Sequence, residues 1–314
     1  MSVLVFLEIS EGNIKKSSLE ALSYAVRLQA GTVSAMVAGN PGNLAEAAQY
    51  GASTIYNIGD DRFSYADAPA FSDALISLAG ETGASSIIVA KSAFTDSLVA
   101  RTAARWNAGL ATNVVALPEA GSQFRRSIFT GKAFETISLA SDRKVISIRK
   151  NAVEMAPAPA AGEVKTWTPQ LSTSAFAVKS VSTNKTSGEV LLSDAEIVVS
   201  GGRGLKGPEN WSMVTDMARV LGAATGCSKP VSDLHWRPHH EHVGQTGIKV
   251  SPNLYFAIGI SGAIQHVAGI SSSKVIVAIN KDADAPIFKV ANYGIVGDAF
   301  EVVPKLTQAL REAL

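Results

Sequence analysis

The second half of the chain contains three glycine-bearing segments whose residue types could bind a ligand. The first is Ser200–Gly204, with the sequence S-G-G-R-G, which directly follows a predicted strand. Glycines allow a backbone to approach a ligand closely, and the guanidinium of Arg203 can bind a phosphate through two hydrogen bonds. A tight turn between a strand and a helix accounts for the same residues, and the pattern alone favours the turn.

The other two segments combine hydrogen-bonding side chains with exposed backbone. Residues 243–247, V-G-Q-T-G, place an amide and a hydroxyl between two glycines, which suits the edge of a heteroaromatic ligand. A surface hairpin turn is the alternative. Residues 261–266, S-G-A-I-Q-H, follow a buried strand and begin a predicted helix. The first N–H groups of that helix would bind an anion such as a pyrophosphate, whereas a lone histidine such as His266 is structural by default.

Two further polar positions follow predicted strands nearer the end of the chain. Asn280 begins the sequence N-K-D after a strand, where an amide can hold the sugar or base of a nucleotide. Asp298 precedes the last predicted helix, where a carboxylate also stabilises a helix N-terminus without any ligand.

Residue spacing argues against several other chemistries. The chain has no G-x-x-x-x-G-K-[ST] phosphate loop, and Ser261 lies in G-I-S-G-A instead of the G-x-S-x-G of serine hydrolases. Within Ser200–Gly204 the glycines do not show the G-x-G-x-x-G spacing, so we expect the dinucleotide fingerprint to be absent. Four histidines within residues 235–242 match no zinc-ligand spacing, so we predict no metal site. The single cysteine, Cys227, cannot form an internal disulfide, which favours a reducing compartment such as the cytoplasm.

These segments depend on an α/β framework. Short apolar runs alternate with amphipathic stretches up to about residue 117, which predicts parallel strands covered by helices. The predicted strands there are Val3–Ile9, Thr32–Ala38, Thr54–Ile58 and Ser86–Ala90, and the predicted helices are Lys16–Gln29, Ala68–Gly83 and Ser97–Gly109. A β-rich segment follows Pro118, and a polar, turn-rich stretch at 182–189 separates two α/β domains, 1–185 and 186–314. The second domain is predicted to contain a helix at Asn210–Gly226.

The composition agrees with two folded domains and argues against two classes of partner. The 314 residues are 46% hydrophobic and 18% charged, as in ordinary globular proteins. With 28 basic and 27 acidic residues the net charge is +1, which gives no electrostatic footprint for nucleic acid or an anionic membrane surface. The uncharged, mainly apolar stretch Leu254–Ile270 has 17 residues and is interrupted by Ser261, Gln265 and His266, so we predict no membrane insertion. A membrane-spanning helix needs about 20.

Taken together, the motifs resemble one protein family. The order S-G-G-R-G, V-G-Q-T-G, L-Y-F-A-I-G-I-S-G-A-I-Q-H-V-A-G-I and K-V-I-V-A-I-N-K-D closely resembles electron-transfer flavoprotein alpha subunits, over about Glu189 to Leu314. The resemblance implies an electron carrier, simple or bifurcating, without bond-making catalysis of its own. It also implies FAD in a flavodoxin-like C-terminal domain and an N-terminal domain that contacts a separate beta subunit.

The resemblance further implies redox partners, location and site residues. Flavin dehydrogenases would donate electrons, and a quinone oxidoreductase or another acceptor would receive them, in the bacterial cytoplasm or, for a processed eukaryotic form, the mitochondrial matrix. Carried over by position, cofactor contacts fall on Arg203, Ser228, Lys229, Val243, Gly244, Gln245, Thr246, Ser261, Gly262, Ala263, Ile264, Gln265, His266, Asn280 and Asp298.

The resemblance assigns a group of these residues to each part of FAD. Arg203 would lie near the flavin or its phosphates, and residues 243–246 would line the flavin ring, with Thr246 near N5. Residues 261–266 would hold the pyrophosphate and place His266 by the flavin O2, while residues 280 and 298 would hold the adenosine end.

Two departures from the family pattern concern charge near the flavin. A reduced flavin carries negative charge at one ring edge, so a cation or strong donor there matters, and His266 and Lys229 are the candidates. Lys229 stands where the family commonly has arginine, and His242 adds a group that titrates near neutral pH. A nicotinamide dehydrogenase, which would need an acidic ribose partner that we do not find, and a non-redox nucleotide-binding module are the alternative functions.

Overall fold

The computed structural model of the chain describes residues 2–39, 41–64, 68–119, 121–131, 133–178 and 191–314. The chain divides into two compact units, Met1–Thr183 and Asn184–Leu314. The predicted domain boundary between 185 and 186 lies outside the described residues.

The first unit is built on a nine-stranded mixed sheet. In chain order its elements are β1 (Ser2–Phe6), β2 (Ile9–Ser10), β3 (Asn13–Ile14), α1 (Lys16–Arg27), β4 (Thr32–Ala38), α2 (Ala45–Gln49), β5 (Thr54–Ile58), α3 (Ala68–Thr82), β6 (Ala84–Ala90), α4 (Ala93–Trp106), β7 (Gly109–Val114), β8 (Gln123–Ile128), β9 (Ala133–Ser138), β10 (Lys144–Ile148) and β11 (Glu163–Thr166). The strand order is β11-β5-β4-β1-β6-β10-β7-β8-β9, in which only the β7–β8 and β8–β9 pairs are antiparallel.

The centre of this sheet is buried on both faces, as parallel sheets are. In β1, Val3 and Val5 belong to the hydrophobic core on one face, while Leu4 and Phe6 belong to the core on the other. Because successive strand residues point to opposite faces, a continuous apolar run fills both cores.

The second unit is a five-stranded parallel sheet with helices. Its elements are β12 (Ile197–Gly201), α5 (Ser212–Leu221), β13 (Ala224–Cys227), α6 (Lys229–Asp233), β14 (Leu254–Ile258), α7 (Ile264–Ile270), β15 (Val275–Asn280), β16 (Tyr293–Val296) and α8 (Ala299–Ala313). The strand order β13-β12-β14-β15-β16 is the flavodoxin-like order, second-first-third-fourth-fifth. The order reverses between β12 and β14, where such sheets bind their ligands.

The predicted α/β class and the flavodoxin-like second sheet are confirmed, but the bounds of several helices differ from the prediction. The helix predicted at Ser97–Gly109 is α4, which begins four residues earlier, at Ala93, and ends at Trp106. The helix predicted at Asn210–Gly226 begins at Ser212 and ends at Leu221, because Gly222 adopts φ +60° and stops it. The chain then returns at once as β13, a strand that the prediction had absorbed into the helix. This short strand delivers Ser228 to the ligand-binding edge of the sheet.

Candidate functional site

The loops that follow β12 and β14 interlock at the point where the strand order reverses. Gly202 N donates to Ile258 O at 2.8 Å, and Gly204 N donates to Gly259 O at 3.0 Å. A Cβ atom on Gly202 would lie only 2.2 Å from Gly259 O. The turn interpretation is therefore confirmed for these glycines, and Arg203 is left exposed between them.

The same turn does contain the G-x-G-x-x-G spacing, at Gly202, Gly204 and Gly207, contrary to the expectation that it carries no dinucleotide fingerprint. The surroundings do not fit a dinucleotide fold, however. Helix α5 begins only at Ser212, and Gly207 is followed by a single 3-10 turn at Pro208–Asn210, so no α-helix N-terminus follows the third glycine. The strand β13 ends next to Ser228, where a ribose-binding acidic residue would be required.

Ser228 and Lys229 form the start of α6 at the end of β13. Ser228 N donates to Gly201 O at 3.1 Å, and its buried side chain makes no helix-capping hydrogen bond. Lys229 is exposed, and its Nζ lies 3.1 Å from Asp233 Oδ1. Ser228 is therefore fixed by its backbone, while Lys229 offers a partly neutralised positive charge.

The V-G-Q-T-G segment is a tight turn that is tied to α7. Gly247 N donates to Gly244 O at 3.2 Å, which closes the turn, and Val243 N donates to Cys227 O at 2.9 Å. Gln245 N donates to Gln265 O at 2.8 Å. Gln245 and Thr246 are exposed at the tip. The turn interpretation is confirmed, and contact between a ligand edge and the amide and hydroxyl at the tip stays a prediction.

The start of α7 lies three residues later than predicted. The helix begins at Ile264, and its N-cap residue, Ala263, provides no side-chain cap. Ser261 O accepts from Ile287 N at 3.0 Å, and Gly262 has φ +84° with no room for a Cβ beside Ile287. Ser261 and residues 263–265 are exposed, while Gly262 is buried. The stretch leads into the first turn of α7, where His266 N donates to Ala263 O at 2.9 Å, and the N–H groups before it lie too near the helix start for partners within the helix.

His266 lies in the floor of the site and is uncharged. Its side chain is buried, its Nε2 lies 3.0 Å from the Tyr255 hydroxyl, and its Nδ1 has no hydrogen-bond partner. Burial lowers the pKa of His266 to about 4, with a smaller contribution from His242, while the backbone of Val243 opposes the shift. His266 is therefore a neutral donor or acceptor and not a cation.

His242 packs against Gly247 in the turn at 243–247. Its side chain is buried, and a Cβ atom on Gly247 would lie 2.7 Å from its Nδ1, which has no partner. Burial lowers the pKa of His242, helped by His239 and Lys229 and opposed by Asp233. His242 is therefore expected to titrate at a lower pH than the near-neutral value predicted from the sequence.

Asn280 and Asp298 are already engaged in holding the chain. Asn280 Nδ2 donates to Ile260 O at 3.0 Å, and Asp298 Oδ1 accepts from Phe300 N at 2.9 Å as the N-cap of α8. The structural role considered for Asp298 is confirmed. Both residues lie at carboxyl ends of the same sheet, and a contact with a ligand stays a prediction for them.

The histidine-rich stretch borders a separate cleft of about 540 Å³, next to α6. Its Glu241 is buried and forms an ion pair with Arg237, which also stacks on Trp211 with 5.6 Å between guanidinium and ring centre. Among the described residues, no group of three or more His, Cys, Asp or Glu side chains could hold a metal ion.

Sequence reasoning missed Tyr255, which ties the site to the core. This tyrosine is the second residue of β14 and is fully buried. A buried tyrosine hydroxyl needs a hydrogen-bond partner, so a tyrosine inside the apolar run L-Y-F-A-I was the available signal.

The doubly wound sheet, with exposed turns and an uncharged buried histidine where its strand order reverses, defines a nucleotide-cofactor-binding α/β protein. Residues 3–172 match the family described as "Electron transfer flavoprotein domain", and residues 191–271 match the "Electron transfer flavoprotein FAD-binding domain". Residues 280 and 298 lie beyond the second match.

Full-length relatives agree with both matches. The chain is 41% identical to the electron transfer flavoprotein subunit alpha of Mycobacterium tuberculosis and 36% identical to that of Syntrophomonas wolfei, with 98% of each chain covered in both cases. It is 36% identical to the mitochondrial subunit alpha of Arabidopsis thaliana, over 99% of this chain and 90% of the relative. The chain belongs to the electron-transfer flavoprotein alpha-subunit family, and its second unit is an FAD-binding domain.

The residues present fit FAD. The exposed residues 263–265 at the start of α7 suit phosphates, and the tip of the V-G-Q-T-G turn suits a ring edge with donors and acceptors. The unpartnered Nδ1 of buried His266 is a polar atom that a ligand would satisfy.

Among the described residues, no helix is long and apolar enough to cross a membrane.

Proposed function

We propose that this chain is the FAD-holding subunit of an electron carrier that works as a heterodimer with a separate beta subunit. The observation that carries the proposal is the junction of the turn at 243–247 with the start of α7, above the buried His266. The relatives are named subunit alpha, which supports a partner subunit.

Each part of FAD has residues suited to it. The backbone of residues 261–265, of which all but Gly262 are exposed, would hold the pyrophosphate with Arg203 nearby. Gln245 and Thr246 would contact the flavin ring, and Asn280 and Asp298 would lie towards the adenosine. FAD, when bound, supplies the reversible acceptance and release of electrons. The chain needs no nucleophile or general acid for this task.

The chain's own residues would set the electrostatics of the ring edge. Because His266 is neutral, it would act through a hydrogen bond, and Lys229 would supply the full positive charge. The ion pair with Asp233 and solvent exposure weaken that charge. Lysine also lacks the planar fork with which arginine makes two parallel hydrogen bonds.

The finer assignments follow the family resemblance. Residues 1–185 would contact the beta subunit, and residues 186–314 would form the FAD domain. Flavin dehydrogenases would deliver the electrons, and a quinone oxidoreductase or another acceptor would remove them. The cytoplasm is the proposed location, or the mitochondrial matrix by analogy with the plant relatives.

Co-purification tests the proposal directly. The chain is expressed together with the beta subunit, and the purified complex is examined for flavin absorbance and for FAD released on denaturation. We expect a yellow 1:1 complex that releases FAD. A colourless complex, or a chain that remains without a partner subunit, would contradict the proposal.

A further inference from the structure

A buried ion pair holds the loop that leads from α6 to the turn at 243–247, and neither of its side chains is assigned to FAD. Arg237 Nε donates to Glu241 Oε2 at 2.9 Å, and Arg237 Nη2 donates to Glu241 Oε1. The Glu241 side chain is 4% exposed, and that of Arg237 is 27% exposed. Two parallel hydrogen bonds from a planar guanidinium fix the orientation of a carboxylate as well as its distance.

The arginine of this pair is anchored on the hydrophobic core. The Arg237 guanidinium lies 5.6 Å from the ring centre of Trp211, a buried residue of the core cluster that includes Cys227. Burial raises the pKa of the Cys227 thiol to about 12, and Glu241 contributes to the rise while Arg237 opposes it. The two charges therefore lie close to the end of β13, one residue before Ser228.

The glutamate of the pair stands at the base of the turn. His242 directly follows Glu241, and His242 O accepts from Ile248 N at 2.7 Å, which closes the base. Val243 N donates to Cys227 O at 2.9 Å and ties the same point to β13. A displacement of Glu241 would therefore carry the base of the turn, and with it the exposed tip.

The backbone of the loop provides little fixed geometry of its own. Residues 234–241, all of which the structure describes, contain a single 3-10 turn, at His239–Glu241, and no α-helix or strand. Hydrogen-bond geometry in 3-10 turns is poorer than in α-helices. The ion pair thus supplies the rigidity that this stretch of backbone lacks.

We propose that Arg237 and Glu241 are positioning residues, a clasp that fixes the loop at 234–241 and so sets the place of the turn at 243–247 against the flavin ring. The contact between turn and flavin rests on the proposed function. The clasp itself acts through the backbone of residues 242–248 and touches no cofactor. Apolar residues of similar size often replace a buried ion pair without loss of stability, so a positioning role can be separated from a stabilising one.

FAD affinity of the complex with the beta subunit tests the geometry of the clasp. Arg237→Lys keeps the positive charge but loses the two parallel hydrogen bonds. We expect it to weaken FAD binding about tenfold, through the shifted turn. The visible circular dichroism of the bound flavin should change as well, because it reports the surroundings of the ring. Unchanged affinity and dichroism in Arg237→Lys would overturn the proposal.

A double variant separates positioning from stability. Arg237→Met leaves the buried carboxylate of Glu241 unpaired, so we expect a lower unfolding temperature, which Glu241→Leu in the same chain should restore. FAD binding should stay about tenfold weaker in both the single and the double variant. Recovery of FAD affinity together with the unfolding temperature would overturn the proposal, since the pair would then serve stability alone.

The first unit offers a matched control. Asp73 is a buried carboxylate that forms an ion pair with Arg105. Asp73→Asn should lower the unfolding temperature and leave both FAD affinity and dichroism unchanged. A tenfold loss of FAD in Asp73→Asn would show that breaking any buried ion pair of the chain has this effect, and would contradict a specific role for the clasp.

Hydrogen exchange at the base of the turn decides the matter independently of FAD. We expect the amides of Val243 and Ile248 to exchange about tenfold faster in Arg237→Lys than in the unaltered complex, and at an unchanged rate in Asp73→Asn. Equal exchange at these two amides in Arg237→Lys would overturn the proposal. A complex that holds no FAD would contradict the proposed function, and the two amides would still decide for or against the clasp.

Discussion

The two units differ in how the backbone is satisfied at the point where the strand order of each sheet reverses. In the first sheet the strand order reverses between β1 and β6, and there Ser92 caps α4 in a reciprocal pair with Thr95, at 3.1 and 2.7 Å. Ser18 Oγ accepts from Glu8 N at 2.9 Å in the loop after β1. In the second sheet the corresponding helix, α7, begins without a side-chain cap.

The comparison shows how one architecture yields a scaffold and a binding site. Where local side chains satisfy the backbone groups at the reversal point, the loops are complete without a ligand. Where glycines bring the loops together and helix N–H groups are left open, the same edge can accept an anion. The first unit thus has the features of a scaffold, and the second those of a site.

Among the predicted changes, adding a side-chain carbon where Gly202 contacts Gly259 in the second unit should have the largest effect. Gly202→Ala places a Cβ within 2.2 Å of Gly259 O, so one of the two loops has to move. We expect loss of FAD and a destabilisation of more than about 3 kcal/mol, because backbone cannot yield as a side chain can. Released FAD and thermal unfolding measure both effects.

Gly80→Ala in α3 is the matched control from the first unit. A Cβ there meets nothing within 4 Å, so the exchange should stabilise the helix by about 0.5–1 kcal/mol and leave FAD unchanged. Retention of FAD by Gly202→Ala would remove the distinction between the units.

Acid should weaken the second unit through His266. All five histidines lie after residue 234, so none belongs to the first unit. His266 binds a proton near pH 6.5 when unfolded but only near pH 4 when folded. Its stabilising contribution is therefore complete above pH 6.5 and is lost as the pH falls from 6.5 to 4, by about 3 kcal/mol.

Hydrogen exchange of the central strands can follow the two units separately. We expect protection in β12 and β14 to fall over this pH range more steeply than in β1 and β6. His266→Gln should flatten the fall, and His240→Gln, at an exposed position, should not. Equal slopes in the unaltered chain and His266→Gln would contradict the prediction.

Removing a carboxylate from the first unit should cost stability but not cofactor. Glu20 is buried in α1 and accepts from Asn151 N at 2.9 Å and from Val153 N at 3.1 Å. Glu20→Ala leaves two backbone donors unsatisfied, and we expect a loss of about 2 kcal/mol in the unfolding free energy of the first unit. Exposed Glu154 provides the control, with Glu154→Ala within about 0.5 kcal/mol. Loss of FAD in Glu20→Ala would show that the first unit is more than a scaffold.

Local patterns in the sequence predicted the strands and helices better than they predicted the contacts between them. The strands Thr32–Ala38 and Thr54–Ile58 form with the predicted bounds, because apolar, β-branched runs flanked by turn residues determine them locally. The exposed turn at 243–247 was also visible as a glycine-flanked motif. Strand β13 was missed because an alanine-rich stretch continues the helical pattern up to and past Gly222.

The floor of the site could not be predicted in the same way. Tyr255 and His266 lie on different elements, and the 3.0 Å contact between them depends on how α7 packs against the sheet. The pKa of His266 follows from that burial, which no spacing reveals. The glycine spacing at 202–207 does not reveal its role either, because Gly202 and Gly204 serve contact with the backbone of Gly259.

The smallest predicted effect concerns His242, which lies under the turn of the second unit and has no counterpart in the first. Because its pKa is lowered by burial, His239 and Lys229 against Asp233, protonation should change the flavin potential only below pH 6.5. The change should be on the order of 30 mV, which for a two-electron couple is about 1.4 kcal/mol. In His242→Gln that inflection should disappear, whereas exposed His240→Gln should retain it. Potentiometric titration of the complex between pH 5 and 8 decides the question: superimposable curves for the unaltered chain and His242→Gln would mean that the charge of His242 does not reach the flavin.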